Sequence, residues 1–152
     1  EAKGIYSIEK FLVARRLMYW QVYLHKTSVA AEKMLLNILK RAKELASKNV
    51  ELFASPALNY FLYNEVTKQN FMHSDVALEN FAMLDDSDII CAIKVWSTHS
   101  DVVLATLCKA FTDRHLFKVE IVPEPISDEK RQRQLELYVE HFGVSLKDAA
   151  YF

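Results

Sequence analysis

The chain is poor in residues that interrupt helices. Its 152 residues include two glycines, Gly4 and Gly143, and three prolines, Pro56, Pro123 and Pro125. Residues 5–55 contain neither, which favours long helices over a turn-rich β fold. Two cysteines, Cys91 and Cys108, are too few for a disulfide framework. Both sit in apolar helical patterns and read as small buried hydrophobes of a reducing compartment. No apolar run approaches the roughly 18 residues of a membrane span. No apolar stretch follows a basic start as in a secretory leader, so a cytoplasmic location is expected. A charge excess is also missing: the net charge of −1 excludes a uniformly basic nucleic-acid binder.

Catalytic signatures are equally scarce. The five histidines, His25, His73, His99, His115 and His141, form no His-Asp pair and no His-x-x-x-His. There is no Cys-x-x-Cys, no glycine-rich phosphate loop and no Gly-x-Ser-x-Gly. A metal site would need ligands gathered from distant segments. The acidic run Asp85-Asp86-Ser87-Asp88 could hold a cation. As the start of a helix, where carboxylates meet the positive end of the dipole, it needs no cation.

What remains is globular: 51% of residues are hydrophobic and 26% charged. The charge is segregated. Residues 1–48 carry ten Lys and Arg against four Asp and Glu, and the remainder carries nine against sixteen. A basic helical first third attracts an anion or forms a solvated face. Ile8, Phe11, Leu12, Arg15, Tyr19 and Tyr23 recur at helical intervals, so residues 5–25 read as a helix. Residues 28–47 read as a second, or as a continuation of the first, with Ser28 as a candidate cap and Glu32 in the first turn. Its apolar stripe runs through Leu35, Ile38, Leu39, Ala42, Leu45 and Ala46, and Lys33, Asn37, Lys40, Arg41 and Glu44 lie mainly opposite. Ser55-Pro56 opens a short helix, residues 67–74 read as a loop, and Ser74-Asp75, Asp85 and Ser100-Asp101 start three more helices. Phe117-Lys118-Val119-Glu120-Ile121-Val122 alternates and ends at Pro123, the pattern of a strand. Ser127-Asp128 begins a last helix that Gly143 stops. The expected architecture is mainly α: a bundle-like helical region over about 1–115, its body about 5–115, then a small α/β tail over about 116–152 whose strand needs partners.

One strip carries chemistry. Arg15, Tyr19 and Tyr23 are spaced i, i+4, i+8, and Lys26 follows, all broadly along one side of a helix. Arg offers a bidentate fork for phosphate, and Tyr a flat face and one hydroxyl for a sugar or base. Tyrosines at the edge of a helical core give the same spacing.

Two stretches resemble a known family. The first is Gly4-Ile5-Tyr6-Ser7-Ile8-Glu9-Lys10-Phe11 followed by Arg15-Arg16-Leu17-Met18-Tyr19-Trp20-Gln21-Val22-Tyr23-Leu24-His25-Lys26. It resembles the segment after the metal-binding core in HD-domain phosphohydrolases of the deoxynucleoside triphosphate triphosphohydrolase group, which includes the vertebrate SAM-and-HD-domain enzyme. The second, Leu84 to Ile89, Trp96, His99-Ser100-Asp101 and Arg114-His115-Leu116-Phe117-Lys118, is similar to that family's Asp-Asp helix start and Arg-x-Leu-Phe-Lys junction.

The resemblance implies roles. Arg15 matches the arginine on substrate phosphates, and Tyr23 the tyrosine beside the substrate sugar. His25 and Lys26 match residues near a nucleotide at a subunit interface. Arg114 and Lys118 match basic residues that reach a regulatory nucleotide. Cations at a helix C-terminus account equally for Arg114 and Lys118.

The family's His, His-Asp and Asp metal ligands have no counterpart here. The resemblance therefore implies the C-terminal, substrate-flanking or regulatory part of a longer hydrolase. This part is expected to be inactive by itself, and its divalent metal is held elsewhere. The implied partners are the N-terminal HD core of the same protein, a nucleotide and further copies in a homo-oligomer, with no membrane and no nucleic acid. Without that core, apolar faces around Leu12, Leu17 and Trp20 are left uncovered. The competing reading is a non-catalytic helical interaction or oligomerisation module.

Overall fold

The computed structural model describes residues 2–120, 122 and 124–152. Nine α-helices follow one another among them: α1 (Ala2–Met18), α2 (Lys26–Ser47), α3 (Pro56–Tyr63), α4 (Lys68–His73), α5 (Asp75–Met83), α6 (Asp86–Trp96), α7 (Val102–Thr112), α8 (Asp128–Phe142) and α9 (Leu146–Ala149). A π-helical turn, Tyr19–Tyr23, prolongs α1.

The helix starts follow local chemistry. Ser55 accepts the Leu58 N–H ahead of Pro56, Asp101 accepts the Leu104 N–H at 2.8 Å, and Ser127 accepts from Lys130. At α6 the cap is reciprocal: Asp85 accepts from Ser87 and Asp88, and Asp88 accepts the Asp85 N–H at 2.9 Å. The acidic run is thus a cap, with its lone pairs used by orphan amides. Gly143 closes α8 at φ +63°, where a side chain would crowd the carbonyl. At α2 the cap is His25, whose Nδ1 accepts the Thr27 N–H at 3.2 Å. Ser28 instead donates to the Val22 carbonyl at 2.8 Å.

The core forms where α2, α3, α6 and α7 meet. Met34, Ile38, Ala42 and Leu45 from α2 face Leu104, Leu107 and Cys108 from α7, with Leu58, Leu62, Ile93 and Trp96 completing the contact. The Trp96 indole N–H donates to the Phe53 carbonyl at 2.9 Å, so a large ring is buried with its one polar atom satisfied. Burial pushes the Cys108 thiol up to about 12, and it packs as a hydrophobe. Cys91 is exposed on α6, contrary to the sequence reading.

Arg41 also departs from its expected solvent-facing position: it is 7% exposed. Its guanidinium forks onto Asp101 at 3.0 and 2.7 Å, reaches Asp148 at 2.7 Å and Glu44 at 3.2 Å, and lies over the Tyr151 ring. One cation thus ties α2 to the cap of α7 and to α9. Glu44 also accepts from Lys48, Lys147 and the Tyr151 hydroxyl, and these bonds hold its carboxyl near 2.

The α/β tail is corrected. No strand occurs among the described residues, and residues 116–120 carry no regular secondary structure. Ile121 and Pro123, which belonged to the expected strand and its end, lie outside the described residues. The alternation itself is real: Phe117 and Val119 are half-buried, Lys118 and Glu120 exposed. A two-residue period reports one covered face, and a helical surface covers it as well as a sheet does. Leu116 and Phe117 pack on the core. The expected loop 67–74 also contains a helical stretch, α4.

Replacing Arg41 by Met leaves Asp101 and Asp148 without their cation, while Glu44 keeps Lys48 and Lys147. A loss of about 3 kcal/mol is expected in urea unfolding. Glu44 and Asp101 both titrate below their ordinary range: hydrogen bonds from Lys48, Lys147 and Tyr151 lower Glu44, and at Asp101 the Arg41 contact outweighs burial. A lowered folded pKa gives stability that is complete above the unfolded value and lost as pH falls through the folded one. Stability should therefore decline from about pH 4.5 towards about 2, and Glu44→Gln should flatten that decline.

Candidate functional site

The strip on α1 exists as a surface. The Arg15 guanidinium lies 5.7 Å from the Tyr19 ring centre, and Tyr19 and Tyr23 sit 5.1 Å apart at a 50° tilt. The π-turn supplies the geometry. Its wider turn brings residues four apart closer to eclipse than an α-helix does, so Tyr23 stays beside Tyr19. With Phe11, Ala14 and Met18 these residues line a shallow groove of about 380 Å³. It presents one guanidinium and two phenol hydroxyls on an otherwise apolar floor.

The second set of residues lies on the body. His25 is the cap of α2, and Lys26 is its first residue. Lys118 pairs with Glu120 at 2.9 Å, and Lys26 and Lys130 add their attraction to the same carboxylate. The fold therefore gathers Lys26 and Lys118, which are distant in sequence, around Glu120. The Lys118 hydrogen bond is the largest cause of that carboxyl's lowered pKa. Lys130 belongs to this basic group and was not singled out in the sequence, because only folding carries the start of α8 to α2.

Arg114 follows α7 with φ +60°, in the left-handed region where a side chain is costly. Its N–H donates to the Phe111 carbonyl at 3.2 Å, closing the helix end. Among the described residues no three His, Cys, Asp or Glu side chains form a group able to hold a metal ion.

The arm that bears the strip is uncovered. Leu12, Leu17, Trp20 and Tyr23 are all more than half exposed, and Trp20 reaches 67%. Apolar residues surround α1 on every side. Helices of that kind are found buried. No helix of the described residues is long and apolar enough to cross a membrane.

Residues 1–55 match the family model described as HD associated region, a span that takes in all of α1, the π-turn and α2. The chain is 32% identical over 121 residues to the uncharacterized protein YwfO of Bacillus subtilis (strain 168), covering 79% of this chain and 26% of that protein. It is 27% identical over 151 residues to the uncharacterized protein MG461 of Mycoplasma genitalium, covering 93% and 33%. Among solved structures it is similar to a phosphohydrolase from Bacteroides thetaiotaomicron VPI-5482, with a TM-score of 0.95 and 56% identity, over 100% of this chain and 38% of that one. The chain thus spans between about a quarter and two fifths of the length of the relatives it matches. At that TM-score over the whole chain, arm and body share one relative pose in both structures.

Arg114→Gly should raise stability in urea unfolding by about 1 kcal/mol, since glycine relieves the left-handed strain. A loss instead would mean that the Arg114 side chain itself supports the fold.

Proposed function

We propose that this chain is an accessory, substrate-flanking region of a metal-dependent HD-type phosphohydrolase acting on (deoxy)nucleotides. The observation that carries the reading is the match to the HD associated region over residues 1–55, the segment that presents Arg15, Tyr19 and Tyr23 in one groove. The likeness to a phosphohydrolase over the full chain supports it.

In this reading Arg15 places its planar fork on substrate phosphate oxygens, where charge-assisted hydrogen bonds are strongest. Tyr23 lays its ring along the sugar. Tyr19 backs the guanidinium, restricting its rotamers before substrate arrives. The described residues do not fit a metal. This chain's contribution is therefore to bind and orient the polyphosphate and to exclude water from one side of it. Lys26 and Lys118, with Arg114 and the His25 cap nearby in sequence, form the basic surface for a regulatory nucleotide.

The N-terminal HD core of the same polypeptide is the partner for the Arg15 face of α1. The longer relatives supply the chain needed to cover an arm that is apolar all round. A second reading, a helical interaction or oligomerisation module without catalysis, is favoured by one observation, the exposure of that same arm.

The test uses the full-length protein with a divalent metal and a panel of deoxynucleoside triphosphates. Arg15→Ala should lower kcat/KM by about 100-fold, the loss of one charge-assisted phosphate contact of roughly 3 kcal/mol. Tyr23→Ala should lower it by about tenfold, mainly through KM. Wild-type turnover in Arg15→Ala, or no turnover by the parent with any nucleotide, would leave the interaction-module reading in place.

A further inference from the structure

Tyr23 is held in place by its backbone. Val22, Tyr23 and Leu24 are each more than half exposed, so packing among the described residues fixes none of them. Two hydrogen bonds instead grip the peptide groups on either side of Tyr23. The Leu24 N–H donates to the Tyr19 carbonyl at 2.8 Å, the five-residue bond that defines a π-turn. It holds the peptide group after Tyr23 from within the arm. The Val22 carbonyl accepts the Ser28 hydroxyl at 2.8 Å, and more weakly the His25 N–H at 3.3 Å. The Ser28 bond holds the peptide group before Tyr23, and it comes from the first turn of α2. A serine at a helix start ordinarily bonds within its own turn. Ser28 reaches six residues back and out of its helix.

We infer that Ser28 is a positioning residue for Tyr23, and through it for the groove that carries Arg15. A peptide unit is planar, so a bond that fixes the Val22 oxygen also fixes the Tyr23 nitrogen and the direction in which the Tyr23 side chain departs. With both flanking peptide groups held, the Tyr23 ring stays 5.1 Å from the Tyr19 ring, and Tyr19 lies against Arg15. A π-turn is an uncommon form of helix, and the carbonyls at its end need partners from outside it. Ser28 supplies one from α2, so Tyr23 is registered to the body as well as to the arm. The exposed hydroxyl needs no buried neighbour to act, and its removal opens no cavity. The positioning role rests on the reading of Tyr23 as the residue beside the substrate sugar. The hold on the turn does not.

Amide hydrogen exchange and steady-state kinetics of the full-length protein test the role, using a divalent metal and a deoxynucleoside triphosphate that it turns over. Alanine favours an exposed helical turn, so Ser28→Ala removes the bond without unfolding α2. Exchange at the Leu24 amide should quicken about fivefold in Ser28→Ala, the loss of one neutral hydrogen bond. KM should rise about threefold with kcat within about twofold of wild type, since the Tyr23 ring is loosened and not removed. Ser28→Thr keeps the hydroxyl and should restore both readouts. Beside Tyr23→Ala, Ser28→Ala should add nothing to KM, whereas a general loss of stability would add in either background. Unchanged exchange at Leu24, a KM rise that persists in full beside Tyr23→Ala, or no recovery in Ser28→Thr overturns the role. A wild-type KM in Tyr23→Ala would instead defeat the sugar reading of Tyr23, and exchange at Leu24 would still decide whether Ser28 holds the turn.

Discussion

Arg41 holds the body of this protein together from the inside of its longest helix. It emerges from α2 at the point where the apolar stripe meets α7, and there it finds the carboxylate that caps α7 and a second one on α9. A guanidinium is always charged, so the site needs carboxylates from separate elements before it can close. That requirement fixes how α7 lies on α2 and anchors the last helix to both. Asn37, one turn earlier, donates to the Tyr151 carbonyl at 2.9 Å and repeats the tether. The orientation of α2 in turn sets where Lys26 sits and the direction in which the arm leaves the body.

The arm obeys a different constraint. It is helical because its residues favour it and nothing breaks it, yet it buries none of its apolar side chains within the described chain. The body is satisfied and the arm is not. A chain of this composition does not expend that much apolar surface without cover. Its two faces differ in chemistry. One gathers a guanidinium and two phenols over a groove. The other carries Tyr6, Val13, Leu17 and Trp20, each more than half exposed. The π-turn at the arm's end keeps Tyr23 beside Tyr19, on the face of the guanidinium.

Much of this was readable along the chain because it is local. Caps such as Asp85, Asp101 and Ser127 act within four residues, and helical periodicity marks α1, α2, α6 and α7. The strip of Arg15, Tyr19 and Tyr23 needs only one helix to exist. The irregular segment after α7 shows the limit. Its alternation declared a covered face and could not declare what covers it, so a strand in a sheet was expected where the chain lies against helices. Arg41 shows the same limit from the other side. It falls on the polar flank of a helical projection, and only partners 60 and 107 residues away turn that flank inward.

The sequence by itself determined the helices other than α4 and α9, the caps at Ser55, Asp85, Asp101 and Ser127 and the residue types on each face of the arm, because those follow from interactions within one or two turns. The tertiary structure alone decided that Arg41 is a buried hub, that Lys26, Lys118 and Lys130 share one carboxylate, and that Leu116 and Phe117 pack on helices instead of in a sheet. Each of these depends on groups brought together across long stretches of chain, and neither propensity nor periodicity encodes the distance between such groups.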